Sequence, residues 1–362
     1  MPLIRTPLLA LALAMALGTS AAPALADEVT PAAAPVAVES GDVTPGTATT
    51  AEVATGAAPA VEPVVEPVAE PAEAAEAAER AAPARDEANY RFEYVYVKPE
   101  AAELQQIHKR MSQADLLGQL PEIQAIDGMF AMPRTLRYVA AECGEFGAFY
   151  RPDRAEVVLC YETLRTLYER GVEHQQALEL GKEHPLRYVR ANVRFILLHE
   201  TGHALIHLLD VPATGRQEDA VDQLAAILML RFAGLDETPE QVTENLGLAA
   251  NWMLSNSTGA YNLDAYADEH ALAEQRYFNL QCMIYGTDPQ AFAHLVDTGD
   301  LTAARAAHCP GETRRVTRAW VRLLVPYLAP GHEAYHQEAM RYLERTRIPD
   351  GPMPAVVPEA ES

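Results

Sequence analysis

The spacing of hydrophobic and polar residues changes near residue 161. Residues 92–97 alternate in the manner of a strand, and a helix is predicted over 100–118. Two more strands are predicted over 136–140 and 156–160, on either side of a turn-rich segment. From residue 161 onwards the apolar positions recur mostly at the helical period. The pattern predicts an α+β fold, mainly α, with a small antiparallel sheet followed by a helical core and a helical C-terminal lobe.

Proline and glycine interrupt the helical part. The breaks fall near 181–184, 210–215, 234–239, 286–289 and 310–311. The folded domain is expected to span 89–347, which is long enough to bury one large core.

The two ends of the chain have compositions that do not suit a packed core. Residues 1–26 resemble a secretory signal peptide, with an apolar run over 8–17 and a cleavage site near Ala26. Residues 27–88 are rich in Ala, Pro and Glu and lack aromatics, so we expect a disordered spacer. The Pro-rich residues 348–362 are expected to form a flexible tail. We therefore predict an exported protein, periplasmic or secreted, whose apolar run is too short to be a membrane anchor.

The chain is strongly acidic, with a formal net charge of −23 at pH 7. Both the spacer and the folded domain contribute to this excess. Phosphate groups would be repelled, so nucleic acid and anionic membrane surfaces are disfavoured as partners.

The strongest chemical signal is the sequence His199-Glu200-Thr201-Gly202-His203, an H-E-x-x-H motif within an apolar run. Histidines four residues apart share one helical face and can bind one metal ion. The neighbouring Glu200 can then act as general base towards a zinc-activated water. The alternative is an ordinary amphipathic helix with two surface histidines, but the apolar flanks favour a buried helix.

Catalytic zinc needs a third protein ligand, and two regions offer candidates. His207 lies eight residues beyond His199, about 12 Å along a helix, which is too far for one ion to bridge. Glu218 starts a second helix after a turn containing Pro and Gly, and it shares a face with Asp222. Asp219 or Asp222 could be the ligand instead, and acidic residues also favour a helix first turn for electrostatic reasons.

Four cysteines occur in this predicted exported chain. Cys143 and Cys160 bracket the proposed hairpin, and Cys282 and Cys309 bracket a helix-loop-helix segment. We favour these two local disulfides over the other pairings. A structural zinc site built from cysteines is the alternative, although close C-x-x-C spacing is missing.

Glu218 and Asp222 resemble the E-x-x-x-D arrangement of thermolysin-like (gluzincin) peptidases. That resemblance implies a zincin-like fold, in which the Glu is the third ligand, the Asp orients a ligand histidine, and an edge strand holds the peptide. It also calls for a donor to the developing oxyanion, for which His270 and Tyr277 are candidates, with Arg276 and Tyr285 behind them. A packing or salt-bridge role would explain each of these side chains as well.

Longer stretches resemble a bacterial domain-of-unknown-function family described as "putative metallopeptidases". The matching segments are 143–150, 160–162, 199–205, 215–223, 275–280, 282–289 and 309–310. The chain departs from the family pattern at Gln217 and Val221, neither of which is a proposed ligand. The resemblance implies a zinc peptidase-like fold and names no substrate.

These observations predict an exported zinc metallopeptidase acting on a peptide or protein substrate. One Zn2+ per chain is expected on His199, His203 and Glu218. Glu200 would be the general base, and Asp222 would orient one of the ligand histidines. A zinc-binding scaffold without hydrolytic activity is the first alternative. A metal-independent helical protein with a coincidental motif is the second.

Overall fold

The structure, a computed structural model, describes residues 90–232, 237–255, 257, 259 and 263–347. The predicted signal peptide, the spacer and the C-terminal tail lie outside these residues. The described part is mainly helical, with a four-stranded sheet near its start. The predicted α+β class with a mainly helical composition is therefore confirmed.

The sheet is mixed, so the predicted antiparallel arrangement is wrong. Its strands are β1 (Glu93–Tyr96), β2 (Arg137–Ala141), β3 (Ala148–Arg151) and β4 (Glu156–Cys160), in the spatial order β1-β2-β4-β3. β2 is parallel to both β1 and β4, and only β3 is antiparallel to its neighbour β4. The four-residue strand β3 lies in the segment expected to be a turn. It reverses the chain direction, so β4 returns parallel to β2.

The other main elements of the described chain are α-helices. In chain order they are α1 (Ala102–Ala114), α2 (Pro121–Ile126), α3 (Tyr161–Ala177), α4 (His184–Leu209), α5 (Gln217–Phe232), α6 (Pro239–Ser255), α7 (Leu263–Ala267), α8 (Ala273–Thr287), α9 (His294–Asp297), α10 (Ala303–Ala306), α11 (Cys309–Leu324) and α12 (Glu333–Arg345). The break expected at 310–311 is instead the first turn of α11, where proline is favoured because its missing amide hydrogen is not needed.

The long helix α4 forms the centre of the core. It packs against α3, α5, α6 and the β3–β4 hairpin, and it is buried on most sides. Arg194 on this helix is fully buried and pairs with Glu122 on α2 and Glu237 before α6. Its Nε lies 3.1 Å from both Glu122 oxygens, and its Nη1 lies 2.7 Å from Glu237 Oε1. This ionic cluster links α4 to two neighbouring segments.

The four cysteines lie in the two local pairs. The sulfur atoms of Cys143 and Cys160 are 2.10 Å apart, and those of Cys282 and Cys309 are 2.01 Å apart. The first pair joins the β2–β3 loop to the end of β4, and the second joins α8 to α11. Among the described helices, none combines the length and the apolar character needed to cross a membrane.

Candidate metal centre

Two contacts fix the rotation of the motif helix α4. Buried Thr201 lies with its Oγ1 2.8 Å from the Tyr138 hydroxyl on β2, so this face of the helix is held against the sheet. Gly202 faces Val221 on α5, and a Cβ at Gly202 would lie only 2.8 Å from the Val221 Cβ. The absence of a side chain there lets the two helices approach closely. Glu218, one turn before Val221, thereby comes opposite the motif histidines.

The ligand atoms of His199, His203 and Glu218 all lie within 4.8 Å of one another. His199 Nε2 is 3.1 Å from Glu218 Oε2, and His203 Nε2 is 3.3 Å from Glu218 Oε1. Tetrahedral zinc with bonds of about 2.0–2.1 Å requires ligand atoms about 3.3 Å apart. The spacing of these side chains therefore suits one zinc ion. Asp219, the alternative ligand, is not a member of this cluster in the described chain.

The polar atoms of Glu218 support the same conclusion. Its Oε2 is buried and makes no hydrogen bond of acceptable direction, although the Nε2 atoms of His199 and His270 lie 3.1 and 2.9 Å away. A buried carboxylate oxygen without such a bond is costly, and a cation would satisfy it. Burial alone would raise the pKa of Glu218, but the imidazoles of His199, His203 and His270 lower it far below its usual range. The carboxylate is therefore in the charged form that binds metal.

Asp222 contacts the Nδ1 atom of His199, whereas the candidate ligand atom Nε2 lies near Glu218. Asp222 Oδ1 lies 2.7 Å from His199 Nδ1, and Arg276 on α8 donates to both oxygens of the same carboxylate, at 2.7 and 2.9 Å. A proton held on Nδ1 leaves the Nε2 lone pair free for a metal ion. Burial would lower the pKa of His199, but the neighbouring carboxylates of Asp222 and Glu218 raise it to about 9 in the metal-free protein. Sequence reasoning placed Arg276 near the site but missed its contact with Asp222.

Glu200 lies one residue beyond His199 and is mostly buried beside the two motif histidines. Burial raises its pKa, while the charges of His199 and His203 and the backbone of Tyr150 on β3 oppose that change. A carboxylate with a raised pKa is a more effective proton acceptor near neutral pH. The side chain also lines a cavity of about 460 Å³, within the range of ligand-binding pockets.

The structure separates the two candidate oxyanion donors. His270 lines the cavity, and its ring stacks on His199 with the ring centres 6.1 Å apart. The hydroxyl of Tyr277 donates instead to Asp300 Oδ1 at 2.6 Å, and Tyr277 is not among the described residues that line the cavity. His207, at the end of α4, has its Nδ1 2.9 Å from the Tyr150 hydroxyl. It takes no part in the ligand cluster.

The fold and the site together define a mainly helical protein with a two-histidine, one-glutamate candidate metal centre. A family model for DUF4344, described as "Putative metallopeptidase", matches residues 96–324, and the chain belongs to this family. The resemblance to a domain-of-unknown-function family of "putative metallopeptidases" is thereby confirmed. The family description indicates a hydrolase that uses a metal ion and acts on a peptide substrate. Neither a curated protein nor a solved structure gives a significant match.

Proposed function

We propose that this protein is a zinc-dependent metallopeptidase that hydrolyses peptide bonds with Glu200 as general base. The observation that carries the proposal is the convergence of His199, His203 and Glu218 beside a cavity that Glu200 also lines. Two imidazoles and one carboxylate form a ligand set typical of catalytic zinc, with one position left for water or substrate.

Each side chain has a defined part in the proposed reaction. Bound zinc would lower the pKa of a water towards about 7 and polarise the substrate carbonyl. The Glu200 carboxylate would accept the proton of the attacking water and deliver it to the leaving amine. His270 is the better placed of the two predicted donors for the oxyanion, because it lines the cavity. Asp222 would keep His199 in the ligating tautomer.

The edge strand β3 offers a place for the substrate backbone. It is the last strand of the sheet and packs against α4, and its Ala148 lines the cavity. A peptide can add to such an edge through main-chain hydrogen bonds. The zincin-like fold predicted from the sequence implies the same binding mode.

Metal analysis tests the ligand set. The purified protein should retain about one zinc per chain after dialysis, and less than about half an equivalent would contradict the proposal. His199→Gln should lose the metal. His207→Gln is the matched control, since it changes a histidine of the same helix that is not a ligand, and it should retain full zinc.

Peptide cleavage tests the chemistry. A peptide library should be cleaved by the zinc-loaded wild type but not by Glu200→Gln, which should keep its zinc because Glu200 is not a ligand. Retained zinc without cleavage by the wild type would favour the non-hydrolytic scaffold.

Export belongs to the same proposal. The signal-like residues 1–26 and the two cysteine pairs are compatible with an oxidising destination. Expression of the full chain in a bacterial host, followed by N-terminal sequencing of the mature protein, should reveal cleavage near Ala26. An intact N-terminus would refute it.

A further inference from the structure

We infer that Phe146 and Trp252 form a subsite that accepts a large apolar side chain next to the scissile peptide bond. The inference rests on the proposed peptidase function and adds a substrate class to it: peptides with an aromatic or large aliphatic residue beside the cleaved bond. The supporting observations are the apolar wall of the cavity, the exposure of Phe146 and the fixation of its loop.

The cavity has an apolar wall beside the candidate metal centre. The wall is formed by Phe146 before β3, Phe195 and Ile196 on α4, and Trp252 and Met253 on α6. Phe195 and Ile196 precede His199 and Glu200 by four residues, about 6 Å along the helix. Successive residues of an extended peptide are spaced by about 3.3–3.6 Å. A side chain adjacent to the scissile bond can therefore reach Phe195 or Ile196, which line the same cavity as Phe146 and Trp252.

Phe146 is unusually exposed for a phenylalanine that lines a cavity. Its side chain is 46% exposed, whereas Trp252 beneath it is 9% exposed. The two ring centres are 5.5 Å apart and the planes are inclined by 34°. Trp252 belongs to the core, but Phe146 contributes little to it. An exposed aromatic ring beside a cavity provides apolar area that a ligand can bury.

The loop that carries Phe146 is fixed at both ends. The Cys143–Cys160 pair anchors the start of the loop to the end of β4, and the Glu162 carboxylate accepts hydrogen bonds from the backbone amides of Cys143 and Gly144. These hydrogen bonds also explain why the Glu162 carboxylate is buried, although no step of the proposed reaction needs it. After the loop, the Gly147 amide donates to the hydroxyl of Thr163, which also lines the cavity. A wall that is already ordered costs little conformational entropy when a ligand binds.

Cleavage kinetics on paired peptides test the subsite. The two peptides differ only in having Phe or Ala beside the cleaved bond, and kcat/KM is measured for each. Wild type should favour Phe by about tenfold or more, as expected for the burial of a large apolar side chain. Phe146→Ala should reduce this ratio at least threefold. Phe278→Ala is the matched control and should leave the ratio unchanged, because Phe278 on α8 is a similarly exposed phenylalanine that does not line the cavity.

A binding measurement separates the subsite from hydrolysis. Zinc-loaded Glu200→Gln protein is titrated calorimetrically with the same two peptides, alone and combined with Phe146→Ala. If the Phe peptide binds more tightly and Phe146→Ala removes this difference, the subsite is supported. This holds even if the wild type cleaves neither peptide, because missing cleavage would overturn only the peptidase proposal. Cleavage with equal kcat/KM for both peptides, or a ratio unchanged in Phe146→Ala, overturns the subsite and leaves the peptidase proposal intact. If the wild type cleaves neither peptide and the binding measurement shows no preference for the Phe peptide, both proposals are overturned.

Discussion

Replacing Gly202 by alanine tests whether the close approach of α4 and α5 builds the metal centre. In an unobstructed helix interior this change stabilises a protein by about 1 kcal/mol. Here the added Cβ would lie 2.8 Å from the Cβ and Cγ1 of Val221 and 3.3 Å from its Cα. Valine is rigid at χ1 in a helix, so the helices themselves must move. Overpacking of this kind costs about 1–3 kcal/mol, so we expect a net destabilisation of about 1 kcal/mol.

The displacement should also weaken metal binding. Glu218 lies one turn before Val221 and Asp222 directly after it, so a shift of α5 moves both carboxylates relative to the imidazoles. We expect zinc affinity to fall about tenfold, the lower range for disturbing groups around a metal ion. Urea unfolding of the chelator-treated protein gives the stability change, and competition with a chromophoric chelator gives the affinity.

Two further variants make the reasoning refutable. Gly247→Ala on α6 is the control, because a Cβ there meets no atom within 4 Å, and it should show the ordinary gain of about 1 kcal/mol. In a Val221→Ala background, Gly202→Ala should become stabilising, with a coupling energy of about 2 kcal/mol between the two sites. If Gly202→Ala alone stabilises the protein as much as Gly247→Ala, the close approach does not constrain the centre.

Three other changes have defined outcomes. Arg276→Met should lower zinc affinity about tenfold or more by freeing the carboxylate behind His199, as measured by chelator competition; unchanged affinity would rule out a positioning role. Arg194→Met should cost about 3–5 kcal/mol in urea unfolding, because it leaves the Glu122 carboxylate buried without its partner. Adding Glu122→Gln should recover part of that loss, and no recovery would contradict the explanation. Replacing Cys143 and Cys160 by alanine should cost about 3 kcal/mol, as expected for a separation of 17 residues. An equally stable variant would show that this disulfide contributes little to the free energy of unfolding.

The local part of the site could be predicted from the sequence. His199, Glu200 and His203 are related by helical spacing alone, so their common face follows once a helix is assigned. Glu218 required a further step, the return of a second helix after a turn. That step was predictable because proline and glycine mark the turn, whereas the contact between Gly202 and Val221 that sets the helix separation was not.

Features that depend on long-range packing were missed or wrong. The parallel pairing of β1 with β2 joins segments about 40 residues apart, and no local pattern specifies it. The directions of the Arg276 and Tyr277 side chains depend on the rotation of α8. The sequence alone could not show that Arg276 contacts Asp222 whereas Tyr277 contacts Asp300. Phe146 and Trp252 lie on separate elements, and their contact follows only from the folded core.

The carboxylate of Asp222 has a consequence for the smallest functional fragment. It joins His199 on α4 to Arg276 on α8, so three helices meet at one side chain. A fragment ending after α5 would contain all three candidate ligands and the general base, yet it would lack the guanidinium that holds Asp222. We therefore expect the candidate metal centre to depend on a residue more than fifty positions beyond its last candidate ligand, so that α4 and α5 would need α8 to bind metal in another protein.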